Sequence, residues 1–287
     1  MRPKFAYVGC FTTEKRKAKG QGIALFSIDA ATGKWTLVEA CNALHNPSYI
    51  WLHPTGRSLY SAHGDSDEVC SYARDPQSGK LAFLNKQKTE GDNSSTVEVD
   101  KSGRWVLLST GPGVALYPVR PDGSLGPYSE LVIPEGKPGP LRGEQEATHP
   151  HQATFDLTGK FVVVPDKGLD PIQVFRFDAE RGKLASCDIL PARHGAVPRH
   201  ITFHPARPYA YLVAENDSTI FALHWDEAEG KLKPFQRVPT LPDSYVANNM
   251  AAEIAIHPSG KFLYASKRGH DSIVVYRVDA ESGRIET

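Results

Sequence analysis

One four-residue phrase occurs five times along this chain: His53-Pro-Thr-Gly56, Asp100-Lys-Ser-Gly103, Asp156-Leu-Thr-Gly159, His204-Pro-Ala-Arg207 and His257-Pro-Ser-Gly260. The intervals between fourth residues are 47, 56, 48 and 53. A strand-like run flanks each copy, as Tyr49-Ile-Trp-Leu52 precedes the first and Ser58-Leu-Tyr-Ser61 follows it. Each phrase therefore predicts the turn of a β-hairpin, with Gly or a polar residue at the tight backbone position. A strand-built period near 50 residues restricts the chain to a propeller or a solenoid.

A second phrase, Asp followed four residues later by Gly and then a basic residue, falls between the first ones. It stands at Asp29/Gly33/Lys34, Asp75/Gly79/Lys80, Asp178/Gly182/Lys183, Asp226/Gly230/Lys231 and Asp279/Gly283/Arg284, with a looser copy at Asp122-Gly123. Alternating runs such as Ile273-Val-Val-Tyr-Arg-Val278 precede it, the period of a half-buried strand. Four antiparallel strands per repeat is a propeller blade, and no 3.6-residue period is sustained. The expectation is an all-β β-propeller forming one domain over 1–287, with six blades legible. Either Ala6–Gly9 closes a six-bladed ring, or the chain lacks a C-terminal seventh blade, because an open ring would expose strand edges.

The 33 basic residues balance the 33 acidic ones, so no global field draws nucleic acid or an anionic membrane. Cys10, Cys41, Cys70 and Cys187 show no CxxC spacing and read as small buried apolar residues of a reducing compartment. No apolar run resembles a signal or a membrane span, so a soluble, cytoplasmic protein is expected.

The turn phrase also serves as a ruler. Eight residues before its fourth position stand Ser48, Ser95, His151, Arg199 and Ala252; seven before, Tyr49, Thr96, Gln152, His200 and Glu253; eight after, Gly64, Gly111, Lys167, Glu215 and Arg268. A hairpin returns its second strand beside the start of its first, so these positions share one end of every blade. The first two hairpins place only small or uncharged polar residues there, whereas the next three place His151, Lys167, Arg199, His200, Glu215, Glu253 and Arg268. Extra residues also enter before the fourth and sixth blades, over 134–148 and 239–249, and long loops at one rim point to function.

Each candidate has a plainer reading. His149 and His151 make two metal ligands where zinc needs three or four, so a substrate-binding or catalytic role is preferred. Arg199 and Arg268 either pair with Glu215 across blades or grip an anion, since guanidinium matches carboxylate and phosphate. His53, His204 and His257 lie in the turns and are expected to be structural. Gly20-Gln-Gly22 is too short for a nucleotide loop, Asp65 and Asp67 lack calcium-loop spacing, and no Gly-x-Ser-x-Gly elbow exists.

Four stretches carry a family resemblance: Thr148-His-Pro-His-Gln-Ala-Thr-Phe-Asp156, Val197-Pro-Arg-His-Ile-Thr-Phe-His204, Val213-Ala-Glu-Asn216, and Ala252-Glu-Ile-Ala-Ile-His257 with Tyr264-Ala-Ser-Lys-Arg-Gly-His-Asp-Ser272. In that order they resemble the lactonase-type seven-bladed propellers, which include propeller 6-phosphogluconolactonases and the fungal 3-carboxy-cis,cis-muconate lactonising enzyme. Ala214 and Lys267 stand where the family usually has Asn. The resemblance implies a metal-free site needing no cofactor, with His151, Arg199, Glu215 and Arg268 as catalytic residues. His149, His200, Lys167, Glu253 and His270 are then expected to bind substrate. The implied activity is hydrolysis of a sugar-acid lactone such as 6-phosphoglucono-δ-lactone, in the pentose phosphate pathway of carbohydrate metabolism. A small anionic lactone or carboxylate would be the partner, with His151 or Glu215 as the base. A muconate cycloisomerase and a non-enzymatic binding propeller are the alternatives.

Overall fold

The computed structural model describes residues 4–41 and 44–287. Six antiparallel sheets follow one another along the chain, each a meander whose neighbours in space are neighbours in sequence. The first has three strands among the described residues and the others four, so the repeat of four is present in five sheets. Ile285–Glu286 pairs with Arg277–Val278 and is the outermost strand of the sixth sheet. The helical content of the described residues is one 3₁₀ turn, Glu14–Arg16. None of it is a helix long and apolar enough to cross a membrane.

Both repeated phrases form the turns they predict. In the first, Gly56, Gly103, Gly159 and Gly260 all have φ between +68° and +75°. Their N–H groups donate three residues back, as Gly56 does to His53 O at 2.8 Å. The phrase histidines brace these turns: His53 bonds Thr55 and the Gly103 carbonyl, and His257 bonds Ser259. In the second phrase, Gly33, Gly79, Gly230 and Gly283 donate their N–H to the Asp carbonyl four residues back, as Gly230 does to Asp226 at 2.8 Å.

The chain divides into two compact units, residues 1–132 with 179–183, and residues 133–178 with 184–287. In the first unit, Ile23 packs with Leu59, Cys70 and Tyr72, and a second cluster joins Tyr60 and Val69 to Val97, Leu108 and Tyr117. All four cysteines are free; Cys70 is buried, but Cys10, Cys41 and Cys187 are partly exposed, which departs from the expectation that all four are core residues.

The second unit holds the fourth to sixth sheets. Tyr209–Ala214 is buried at every position, and its period-2 geometry explains how. Tyr209, Tyr211 and Val213 pack with Ile254, Leu263 and Tyr276 of the sixth sheet, while Ala210 and Leu212 pack with Phe161, Val163 and Val174 of the fourth. Burying each such large side chain is worth about 1.5–3 kcal/mol. Two turn glycines complete the fit. A Cβ on Gly230 would lie 2.3 Å from the Phe161 ring, and one on Gly283 would lie 2.6 Å from the Tyr209 ring. These positions need both the positive φ and the missing side chain.

Candidate active site

The site assembles at one end of three consecutive hairpins, all within the second unit. In the fourth sheet, His151 N–H donates to Pro165 O at 3.1 Å and Lys167 N–H to His149 O at 2.9 Å. That pairing extends the hairpin of Thr154–Phe155 and Phe161–Pro165 and sets His149, His151 and Lys167 together. In the fifth, Arg199 and His200 begin the strand Pro198–Phe203, and Glu215 follows Tyr209–Ala214 with its N–H on Val197 O at 2.8 Å. In the sixth, Glu253 lies in Met250–Ile256 and Arg268 ends Phe262–Arg268.

The first strands are not regular. The register shifts between Pro198 and His200, and again between Ala251 and Ile254, so Arg199 and the Ala252-Glu253 pair sit in β-bulges. A bulge turns side chains out of strict alternation, which lets Arg199 and its neighbour His200 both join the cluster. Strain accompanies the first bulge. Val197 is buried, β-branched and directly before Pro198, yet its φ is +60°, a region that both features disfavour. Asp170 holds it there, accepting from Val197 N–H at 3.0 Å and Gly195 N–H at 2.6 Å. Gln145 of the insertion before the fourth sheet donates to the same carboxylate at 2.8 Å. Asp166, fully buried, accepts from His149 N–H at 2.9 Å, Gly168 N–H at 2.8 Å and Thr148 Oγ1 at 2.5 Å. Neither aspartate sits on the ruler, and sequence reasoning missed both.

Seven predicted residues form two chains of contacts that each cross the three sheets. One is electrostatic. Glu215 Oε1 accepts from Lys167 Nζ at 2.8 Å, while Oε2 lies 2.8 Å from Arg199 Nε and 3.0 Å from Arg268 Nη2. The guanidinium approaches to Oε2 are charge contacts without aligned hydrogen bonds, so both arginines retain donors for another acceptor. Burial alone would push the Glu215 carboxyl up, but Lys167, Arg199 and Arg268 outweigh it and hold the group below the usual carboxylate range. Burial lowers Lys167 from its ordinary value, with Glu215 opposing. The ion pairs across sheets and the gathering of cations are thus both real.

The other chain is made of hydrogen bonds. His151 Nδ1 lies 3.0 Å from His200 Nε2, and His200 Nδ1 lies 3.0 Å from both Glu253 oxygens. Burial holds His151 well below the ordinary histidine value, and Arg199, His200, Lys167 and His149 reinforce it. His200 is lowered by burial against the pull of Glu253. Both rings are therefore neutral near pH 7. His149 stacks on His151 with centroids 6.1 Å apart and planes 8° from parallel. Its buried Nε2 has no hydrogen-bond partner among the described residues.

His270 is held elsewhere. Its ring packs edge-on to Tyr245 of the second insertion at 4.8 Å, and its Nδ1 bonds Ser272 at 2.6 Å. Lys267, at a position where Asn was expected, is buried and donates to Thr240 O at 2.9 Å, tying down the start of that insertion. Among the described residues, no three His, Cys, Asp or Glu side chains converge as metal ligands would.

Three cations and two neutral imidazoles thus meet at one end of three consecutive antiparallel blades of a propeller fold. The chain belongs to the family described as Lactonase, 7-bladed beta-propeller, whose model matches residues 5–287. It is similar to the 6-phosphogluconolactonase of Bacillus subtilis (strain 168), with 33% identity over 290 residues, covering 99% of this chain and 80% of that one. Among solved structures it is similar to a Bacteroides fragilis protein provisionally named a 6-phosphogluconolactonase, with TM-score 0.88, 26% identity and coverage of 99% and 80%. It is also similar to the periplasmic gluconolactonase PpgL of Pseudomonas aeruginosa, with TM-score 0.87, 26% identity and coverage of 99% and 81%.

Proposed function

We propose that this chain hydrolyses an anionic sugar-acid lactone, 6-phosphoglucono-δ-lactone being the foremost candidate, as a step of carbohydrate metabolism of the pentose phosphate type. One observation carries the reading: Lys167, Arg199 and Arg268 converge on a single carboxylate beside the neutral, partly accessible His151. The excess positive charge suits a phosphate or carboxylate, and a neutral imidazole is able to accept a proton.

Of the two candidate bases, His151 is the better. Glu215 is ionised, but three cations stabilise that form and make it a weak proton acceptor. His151 would remove a proton from water as the oxygen attacks the lactone carbonyl, forming a tetrahedral oxyanion. Arg199 and Arg268 would stabilise that charge or grip the substrate's anionic group. Collapse breaks the bond between the carbonyl carbon and the ring oxygen, which takes the proton back from His151. Water and lactone become the open-chain hydroxy acid, with no metal or cofactor required. Four unpaired cysteines support a cytoplasmic location, which cell fractionation tests, a periplasmic relative notwithstanding.

The decisive assay measures initial hydrolysis of 6-phosphogluconolactone above its spontaneous opening, beside unphosphorylated gluconolactone and 3-carboxy-cis,cis-muconate. Phosphorylated lactone should turn over fastest, and Arg199→Lys should not restore what Arg199→Ala removes. Turnover confined to the muconate would replace this reading with the cycloisomerase; a folded chain inert toward all three would favour a binding propeller.

A further inference from the structure

The contact chain from Glu253 through His200 to His151 has a direction. Carboxylate oxygens only accept, so the His200 Nδ1 that meets both of them at 3.0 Å carries a proton. A neutral His200 then has only a lone pair at Nε2. The nitrogen facing that lone pair, His151 Nδ1 at 3.0 Å, must supply the hydrogen. His151 is left with its own lone pair on Nε2, the tautomer opposite to the one a free imidazole prefers.

We propose that Glu253 and His200 are positioning residues that fix His151 as the Nδ1–H tautomer and so present its Nε2 as the base. This assignment deepens the lactonase reading and rests on it for its catalytic meaning, though not for the tautomer itself. Two further features of the fold support it. Beside the second bulge, Ile254 N–H donates to Glu253 Oε1 at 3.0 Å, while Ser266 Oγ accepts from Glu253 N–H at 3.0 Å. A side chain half in solvent is thereby held to one task. In addition, His200 and Glu253 occupy the same ruler position, seven residues before the fourth residue of the turn, and His151 stands one residue further back in the preceding sheet's hairpin, so the repeat brings the three to one end of consecutive hairpins. The charged and titratable groups around His151 are His149 on its face, His200 at Nδ1, and Lys167 and Arg199 nearby, with Glu215 pairing both cations. When Nε2 takes a proton, the cation formed donates from Nδ1 to His200, whose Nδ1–H already points at Glu253; no proton need pass beyond His151.

Nitrogen NMR of the ¹⁵N-histidine-labelled protein at pH 8 reads the tautomer without reference to activity, with His151→Gln identifying the signal. The proposal expects His151 and His200 both protonated at Nδ1; protonation of His151 at Nε2 overturns it. In kinetics, Glu253→Gln should lower kcat by about 10- to 100-fold with KM little changed, a fraction of the full general-base contribution. The acid limb of kcat should also move to lower pH, because the charged imidazole loses its carboxylate. A Glu253→Gln enzyme with an unshifted acid limb refutes the positioning role. If the tautomers are as assigned but no lactone is hydrolysed, the lactonase reading alone fails.

Discussion

The second and third sheets occupy the same ruler positions as the fourth to sixth and use them differently. In the third, Thr96 and Ser109 bond one another within their own sheet, with Oγ atoms 2.9 Å apart. In the second, Gly64 N–H donates to Asn46 O at 3.0 Å, and nothing protrudes at that position. In the later sheets, all the equivalent residues but Ala252 are long or ionisable, and Lys167, Arg268, His151 and His200 find partners one sheet away. A repeat makes equivalent backbone positions without making equivalent environments. Short side chains close each blade on itself, whereas long ones connect blades and gather charge.

That contrast can be attacked at five points. The largest effect expected is for His151→Ala, about 10²- to 10⁴-fold in kcat if it is the base, read by steady-state hydrolysis of the lactone. Glu215→Ala should cost about 2–3 kcal/mol in denaturant unfolding. Three cations then lose their shared carboxylate, but half-exposed Arg268 keeps the cost below that of a fully buried pair. Gly230→Ala should cost about 2 kcal/mol through backbone strain and the Phe161 clash, without altering KM. As for pH, His151 and His200 are depressed in the fold, so below about 6.5 the unfolded chain binds more protons. Stability should therefore fall as pH drops from 6.5, by up to about 1.4 kcal/mol per pH unit for each such histidine, and these groups should contribute no slope above it. Thermal unfolding across pH 4.5–8 tests the sign. The smallest effect belongs to Ser95→Ala, which should leave kcat and KM within about twofold; a large loss would show that the quiet sheets also take part.

The turns were legible because a tight turn demands particular residues, and the ruler they provide located His151, Lys167, Arg199, Glu215 and Arg268 by arithmetic. What the ruler could not show was orientation. Adjacent residues such as Arg199 and His200 should face opposite ways in a regular strand, and only the bulge lets both reach the cluster. Asp166 and Asp170 escaped because they bond main-chain N–H groups inside a loop, a role that leaves no periodic trace. His270 shares its stretch with Arg268 yet follows Gly269 into a turn, where Ser272 and Tyr245 hold it.

The two contact chains meet the same three sheets but share no side chain: Lys167, Glu215 and the arginines on one, His151, His200 and Glu253 on the other. Replacing Lys167 or Arg199 therefore removes no hydrogen bond from the histidine chain, yet it still lifts a charge that weighs on His151.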